Sequence, residues 1–274
     1  MEKHKTLLFE GRELHYRDEG REHPCTLVLL HGFLQNLNVW SSLMLSYMRH
    51  MRVITIDLPG HGYSDTYSDV HTMDFMANAV KHVLDHAGIQ RCVLAGHSLG
   101  GYVALAFASN YSYMLNGLAL LHSHAMADSP QKREQRDQLC RQVHLNRAGF
   151  IVDFITNLFD PSKREPLAQD IKELRDQCLE THENGILAAQ RGMKLRTSRI
   201  STLATLQVPV LFVYGKNDPR IPLEEGLSQA MIPQRSEVLL LDNVAHMSFI
   251  EERDYVRDRL DDFCKQCYKC QLHA

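Results

Sequence analysis

Six short runs, at residues 26–30, 52–56, 92–95, 117–121, 209–214 and 237–241, are rich in Val, Leu and Ile on both of their faces. A strand that is apolar on both faces must be covered on both sides, the condition of a parallel sheet lying between helices. Helix-patterned stretches separate the runs, at 36–49, 71–87, 99–110, 223–231 and 249–265. This alternation predicts βαβ units and an α/β, mostly parallel sheet. A leading pair of runs, 5–9 and 12–17, with Glu10-Gly11 between them, predicts an edge hairpin.

One stretch breaks the alternation. Between residues 125 and 201 no strand-like run occurs, and charge and helix formers dominate, as in Gln131-Lys132-Arg133-Glu134-Gln135-Arg136-Asp137. Phe150-Ile151-Val152-Asp153-Phe154-Ile155 is amphipathic at helical spacing. The expected organisation is a core of residues 1–124 and 202–274, with a helical cap inserted at 125–201.

Composition narrows the function classes. The net charge of -3 leaves no electrostatic footprint for nucleic acid or an anionic membrane surface. No run approaches the roughly 18 apolar residues of a spanning helix, and the N-terminal apolar run is too short for a signal-peptide core. A soluble cytoplasmic protein with a small-molecule substrate and no cofactor is expected, and a homodimer is compatible with this composition. Of seven cysteines, Cys25, Cys92, Cys140 and Cys178 read as thiols in a reducing compartment. Cys264-x-x-Cys267-x-x-Cys270 could supply three metal ligands, with His273 as a further donor, but such short Cys/His tracts are compositional, so a helical tail and no metal are expected.

The chemistry sits at run ends. Gly96-His97-Ser98-Leu99-Gly100-Gly101 lies directly between a strand-like run and a helix-patterned one. This is the setting of a nucleophile elbow, in which Ser98 occupies a strained turn and small neighbours let strand and helix approach. Acyl transfer also needs two backbone N–H groups aimed at the developing oxyanion. Leu99, after the nucleophile, supplies one, and Phe33 of His31-Gly32-Phe33 is placed for the other. His31 itself reads as a hydrogen-bonded structural residue. Asp218 follows the run 209–214 and His246 follows 237–241, giving the chain order Ser, acid, His. Asp242 and Asp128 are the rival acids. His122 and His124, just past the run 117–121, should emerge near Ser98, as substrate contacts or as solvated loop residues.

At these residues the chain resembles the α/β-hydrolase superfamily, over nearly its whole length. Asp57-Leu58-Pro59-Gly60-His61-Gly62-Tyr63-Ser64-Asp65, after the second of the six runs, is similar to a stretch common in esterase-like members, as is His246 followed by Glu251-Glu252. By its residues alone that stretch is a Gly/Pro turn with a stabilising role. The resemblance implies an eight-stranded sheet flanked by helices and a helical cap after the sixth strand. It also implies a pocket lined from the cap, with Phe150, Phe154 and Met193 as candidates, although residues of this kind are more often plain helix core. Ser98 stands where haloalkane dehalogenases and epoxide hydrolases carry Asp, and Leu34 where epoxide hydrolases carry Pro. The charged stretch after Asp128 is unlike an apolar lipase lid. The expected activity is hydrolysis of a small ester, thioester or lactone through an acyl-enzyme. C–C bond hydrolysis or a lyase reaction with the same triad is the alternative, and a non-catalytic ligand-binding protein is a third reading.

Overall fold

The computed structural model describes residues 4–269. Its strands are β1 (Lys5–Phe9), β2 (Arg12–Glu19), β3 (Thr26–Leu30), β4 (Arg52–Ile56), β5 (Cys92–His97), β6 (Leu115–Leu121), β7 (Val210–Gly215) and β8 (Ser236–Leu241). They form one sheet in the order β1-β2-β4-β3-β5-β6-β7-β8. The β1–β2 and β2–β4 pairs are antiparallel, and every other pair is parallel. The central strands β3, β5, β6 and β7 are buried at every residue, as strands apolar on both faces must be. The edge strand β8 has partly exposed positions.

The elements depart from the periodicity at their ends. β5 runs two residues past its apolar stretch because Gly96 and His97 continue the ladder opposite Leu120 and Leu121. β2 reaches Glu19 because Asp18, opposite Ile54, is neutralised by Arg52 at 2.8 Å. The first helix-patterned stretch splits into a 3-10 turn, Leu37–Trp40, and α1 (Ser41–Tyr47). The Asn36 side chain caps that turn by accepting from Asn38 N.

The flanking helices are α2 (Met73–His86), α3 (Leu99–Tyr111), α8 (Leu223–Ala230), the short α9 (Ser248–Glu251) and α10 (Arg253–Lys269). Thr72 caps α2 through Phe75 N, and α3 is buried from Leu99 to Ala108. In α10 Phe263 and Cys267 pack on Gly117 of β6, and Cys264 is buried beside them. Two thiols of the C-terminal cysteine tract are therefore core residues, while Cys270 and His273 lie outside the described residues.

Between β6 and β7 the described chain is helical: α4 (Pro130–Thr156), α5 (Ala168–Leu179), α6 (Glu183–Leu195) and α7 (Ile200–Thr205). Ser129 caps α4, with Pro130 in the first turn, where a missing N–H costs nothing. The helix breaks at Asn146 (φ -158°, ψ 80°), whose side chain accepts from Gly149 N and restarts it. Backbone and hydroxyl bonds tie this segment to loops of the sheet: His71 N to Ala188 O at 3.0 Å, His246 N to Leu158 O at 2.9 Å, and Thr181 Oγ1 to Leu34 O at 2.9 Å. Among the described residues no helix is long and apolar enough to cross a membrane.

Candidate active site

Ser98 joins β5 to α3 with φ 51° and ψ -111°, a conformation that side-chain-bearing residues rarely adopt. The turn closes only because its neighbours are small. A Cβ on Gly96 would strike Gly100 O, and one on Gly100 would strike Leu30 O. Ser98 N donates to Leu121 O at 2.9 Å, so β6 holds the turn from one side. Ser98 O accepts from Gly101 N at 3.0 Å and from Ser123 Oγ at 3.0 Å, holding it from the other.

Asp218 and His246 come from the loops after β7 and β8. His246 Nδ1 lies 2.9 and 2.8 Å from the two carboxylate oxygens of Asp218. Oδ1 also accepts from Arg220 N at 2.8 Å and Ile221 N at 3.1 Å. Burial alone would raise the pKa of this carboxyl, but His246 and His122 outweigh it and hold it well below the usual 3.8. Burial also lowers the His246 pKa from 6.5, although Asp218 pulls the other way. The pair therefore rests as a carboxylate and a neutral imidazole at neutral pH. Of the rival acids, Asp242 is exposed and paired with Lys216, and Asp128 is buried between Arg136 and Arg196. Only Asp218 of the three meets the imidazole.

The His246 loop is clamped from below. The buried Glu251 carboxylate accepts from Ala245 N at 3.2 Å, Met247 N at 3.1 Å and Asp160 N at 3.1 Å. His97 Nε2 donates to His246 O at 2.9 Å. Burial raises the Glu251 pKa above 4.5, and the three amides offset part of that rise. Glu251 thus fixes the residues on both sides of the imidazole, and α9 is separated from α10 at Glu252, whose φ of -136° and ψ of 53° are not helical.

His122, expected at the pocket, is placed elsewhere. It is fully buried, has φ 50°, and its Nδ1 lies 2.8 Å from Asp218 Oδ2, so Asp218 serves two imidazoles. His122 Nε2 is buried without a partner. Sequence reasoning missed this role because it depends on strand order. β6 and β7 are neighbours, and His122 N donates to Val213 O, which brings the residue after β6 beside the loop after β7. Among the described residues, His122, Asp218 and His246 form one cluster with ligand atoms within 4.8 Å of one another. In this arrangement each Nδ1 donates a proton to the carboxylate, and a metal ion there would displace both bonds.

Leu99 opens α3, where a first-turn N–H has no intrahelical acceptor. Phe33 lies in the loop after β3, which Gly32 N braces by donating to Gln35 Oε1 at 3.0 Å. β3 and β5 are adjacent, so both residues stand on one rim of the sheet. His31 is structural: Nδ1 donates to Gly32 O, Nε2 accepts from Leu58 N, and burial pushes its pKa down to about 4. The Asp57–Asp65 turn is also structural. Buried Asp57 accepts from Leu37 N at 2.7 Å and Tyr63 N at 3.0 Å.

A cavity of about 260 Å³ opens over Ser98 and His246. Its lining includes Phe33, His124, Phe154 and Met193 of the expected residues. Phe150 and His122 are not in its lining, and Phe150 instead lines a surface groove beside Phe154. Burial, followed by the adjacent Arg196, pushes the His124 pKa down to about 3, so this imidazole is neutral. The lining also includes Asp128, which the sequence offered only as a rival acid, and Lys132, Arg136, Arg196 and Arg220, which it did not mark as pocket residues. No spacing marks them, because their convergence depends on how the helices dock.

Comparison with known proteins agrees with this fold. A family model described as alpha/beta hydrolase fold matches residues 26–253. The chain is 30% identical over 259 residues to the dihydrolipoyllysine-residue acetyltransferase component of the acetoin cleaving system of Pseudomonas putida, covering 93% of this chain and 68% of that protein. It is 26% identical over 289 residues to a 2-hydroxy-6-oxononadienedioate/2-hydroxy-6-oxononatrienedioate hydrolase of Paraburkholderia phymatum, covering 96% of each. Among solved structures, a malate-bound thermophilic esterase from Thermogutta terrifontis superposes with a TM-score of 0.90 at 29% identity, covering 97% of this chain and 99% of that one. With its eight-stranded sheet, the serine elbow after β5 and a family match over most of its length, the chain belongs to the alpha/beta hydrolase fold family.

Proposed function

We propose that the chain is a serine hydrolase of small carboxylic esters, thioesters or lactones. Ser98 Oγ attacks the acyl carbon while His246 takes its proton, and the Phe33 and Leu99 amides receive the oxyanion. The imidazolium then protonates the leaving alkoxide or thiolate. Water, deprotonated by the same imidazole, releases the acid and restores Ser98. Asp218 holds the His246 tautomer and stabilises the imidazolium. The helical segment 125–201 acts as a cap that shapes the acyl and leaving-group sites.

The observation that carries this reading is the 2.8 Å contact of His246 Nδ1 with Asp218, with Ser98 and His246 on one cavity. The esterase with which the chain superposes at 29% identity adds support for ester chemistry. The test is a stopped-flow reaction with p-nitrophenyl butyrate. A burst of p-nitrophenol equal to the enzyme concentration, or fast steady turnover, is expected in the wild type and lost in Ser98→Ala. Wild-type turnover in Ser98→Ala would remove Ser98 as nucleophile. The 26% identical hydrolase of a 2-hydroxy-6-oxo dicarboxylate motivates a second reading, C–C bond hydrolysis. Cleavage of such a substrate in the absence of ester turnover would favour it.

A further inference from the structure

The charges lining the cavity are unbalanced. Lys132, Arg136, Arg196 and Arg220 line it, and among the described residues Asp128 is the one carboxylate that does. Lys132 is matched from outside by Glu225 at 3.0 Å. Asp128 is shared by two guanidinium groups, paired with Arg136 and with Arg196 at 2.6 Å. One negative charge between two arginines leaves a surplus positive charge on that wall.

Arg220 adds another. Its guanidinium stacks on the Phe154 ring, 4.2 Å from the centroid, and its buried Nε has no hydrogen-bond partner. No carboxylate among the described residues forms an ion pair with it. The nearest acid in sequence, Asp218, is already engaged by two imidazoles and by the Arg220 and Ile221 amides. Burial lowers the proton affinity of this guanidinium, and the attraction of the Asp218 carboxylate, with which it forms no direct ion pair, offsets only part of that. A buried charge left unpaired is costly, and the cost is relieved when a ligand supplies the opposite charge. A flat guanidinium fixed against a ring presents its remaining N–H donors in the geometry that suits a carboxylate.

We propose that the cavity binds substrates carrying a carboxylate in addition to the scissile bond, and that Arg220, backed by the Arg136–Asp128–Arg196 wall, is the group that holds it. The substrate class is then a half-ester, or a lactone or thioester of a dicarboxylic acid. The cavity's small volume fits a short chain between the two ends. This deepens the hydrolase reading and rests on it only for the identity of the scissile bond.

Two measurements test the proposal. In the first, glutarate and its uncharged analogue glutaramide are titrated into Ser98→Ala protein at constant ionic strength, followed by calorimetry. Glutarate should bind about tenfold or more tightly than glutaramide, and the difference should vanish in Ser98→Ala/Arg220→Met and return in part in Ser98→Ala/Arg220→Lys. In the second, kcat/KM is compared for mono-p-nitrophenyl glutarate and p-nitrophenyl butyrate. The half-ester should be preferred by about tenfold or more, with the ratio falling towards one in Arg220→Met. Equal binding of glutarate and glutaramide overturns the proposal, as does a preference that survives Arg220→Met with the protein folded. Turnover of both esters with no charge preference removes the anion site and leaves the hydrolase reading standing. Arg220-dependent glutarate binding without any ester turnover keeps the anion site and removes the hydrolase reading.

Discussion

Ser98 and His246 line the cavity, with Asp218 behind the His246 imidazole, on loops clamped by backbone bonds at the carboxyl ends of β5, β7 and β8. Asp128, Arg136, Phe154 and Arg196 reach the same cavity as side chains from the helical segment between β6 and β7. The rim is held by what the sheet dictates: Ser98 N on Leu121 O, and the two amides flanking His246 on Glu251. The opposite wall is held by salt bridges among long side chains, such as Asp128 with Arg196 and Lys194 with Asp137. Clamped backbone fixes the position of the groups it carries, whereas side chains reaching in from docked helices can differ without moving the loops that hold Ser98 and His246. Under the proposed reading the clamped rim carries the chemistry, and selectivity is shared between the helical wall and one side chain of the rim, Arg220 on the loop after β7. Changes at Ser98, Asp218 and His246 should cost rate on every substrate, and changes at Arg220 or on the helical wall should redistribute activity among substrates.

The largest effects belong to the rim. Ser98→Ala should lower kcat by roughly four to six orders of magnitude on any ester, with binding of a product acid retained. Asp218→Asn should cost roughly 10⁴-fold, because the wrong His246 tautomer is then favoured. Asp242→Asn, at an exposed position paired with Lys216, should leave kcat within about twofold, the range of surface substitutions. An equal loss in the two Asn variants would break the assignment of the acid.

His122 sharpens the comparison, since it touches the rim without lining the cavity. His122→Phe removes one charge-assisted bond from a buried carboxylate, a loss of about 1–3 kcal/mol of stability measurable by denaturant unfolding. The same variant should leave the ratio of half-ester to neutral-ester rates unaltered, because no wall charge moves. A shift in that ratio would mean that the two regions are coupled.

The pH profile gives a smaller effect. His246 must be neutral to accept a proton, and burial lowers its pKa from 6.5. Activity is therefore present above the lowered value and lost as pH falls through it, so the acid limb of kcat/KM for a neutral ester should have its midpoint below 6.5. The Asp218 carboxyl, held below 3.8, stabilises the fold above its unfolded pKa and loses that contribution only as pH falls through the folded one. The acid limb is thus assigned to His246 alone, and a midpoint above 6.5 would contradict the buried, neutral imidazole.

Much of the rim was legible because its signals are local. Gly96, Ser98 and Gly100 sit between an apolar run and a helix, and the strand end preceding Asp218 follows from two-faced burial, while β8, before His246, is an apolar run with exposed positions at the sheet edge. The central strands β3 and β4 match the apolar runs, since nothing but burial sets their limits. His122 was visible as a residue but not in its role, which arises from the adjacency of β6 and β7. Glu251 was noticed only through resemblance, and its grip on three amides is a feature of the folded loop. The wall was least legible. Arg136 and Arg196 lie 60 residues apart in sequence and meet through Asp128 only once α4 and α6 have docked. Charge runs on helices carry no mark that tells a solvated face from a pocket.

One experiment bears on the central claim most directly: treatment of folded protein with a fluorophosphonate, followed by intact mass and peptide mapping. The account predicts a single adduct on Ser98 in the wild type, and strong slowing of labelling in His246→Ala. Absence of an adduct on Ser98, or labelling at an undiminished rate without the imidazole, would contradict it.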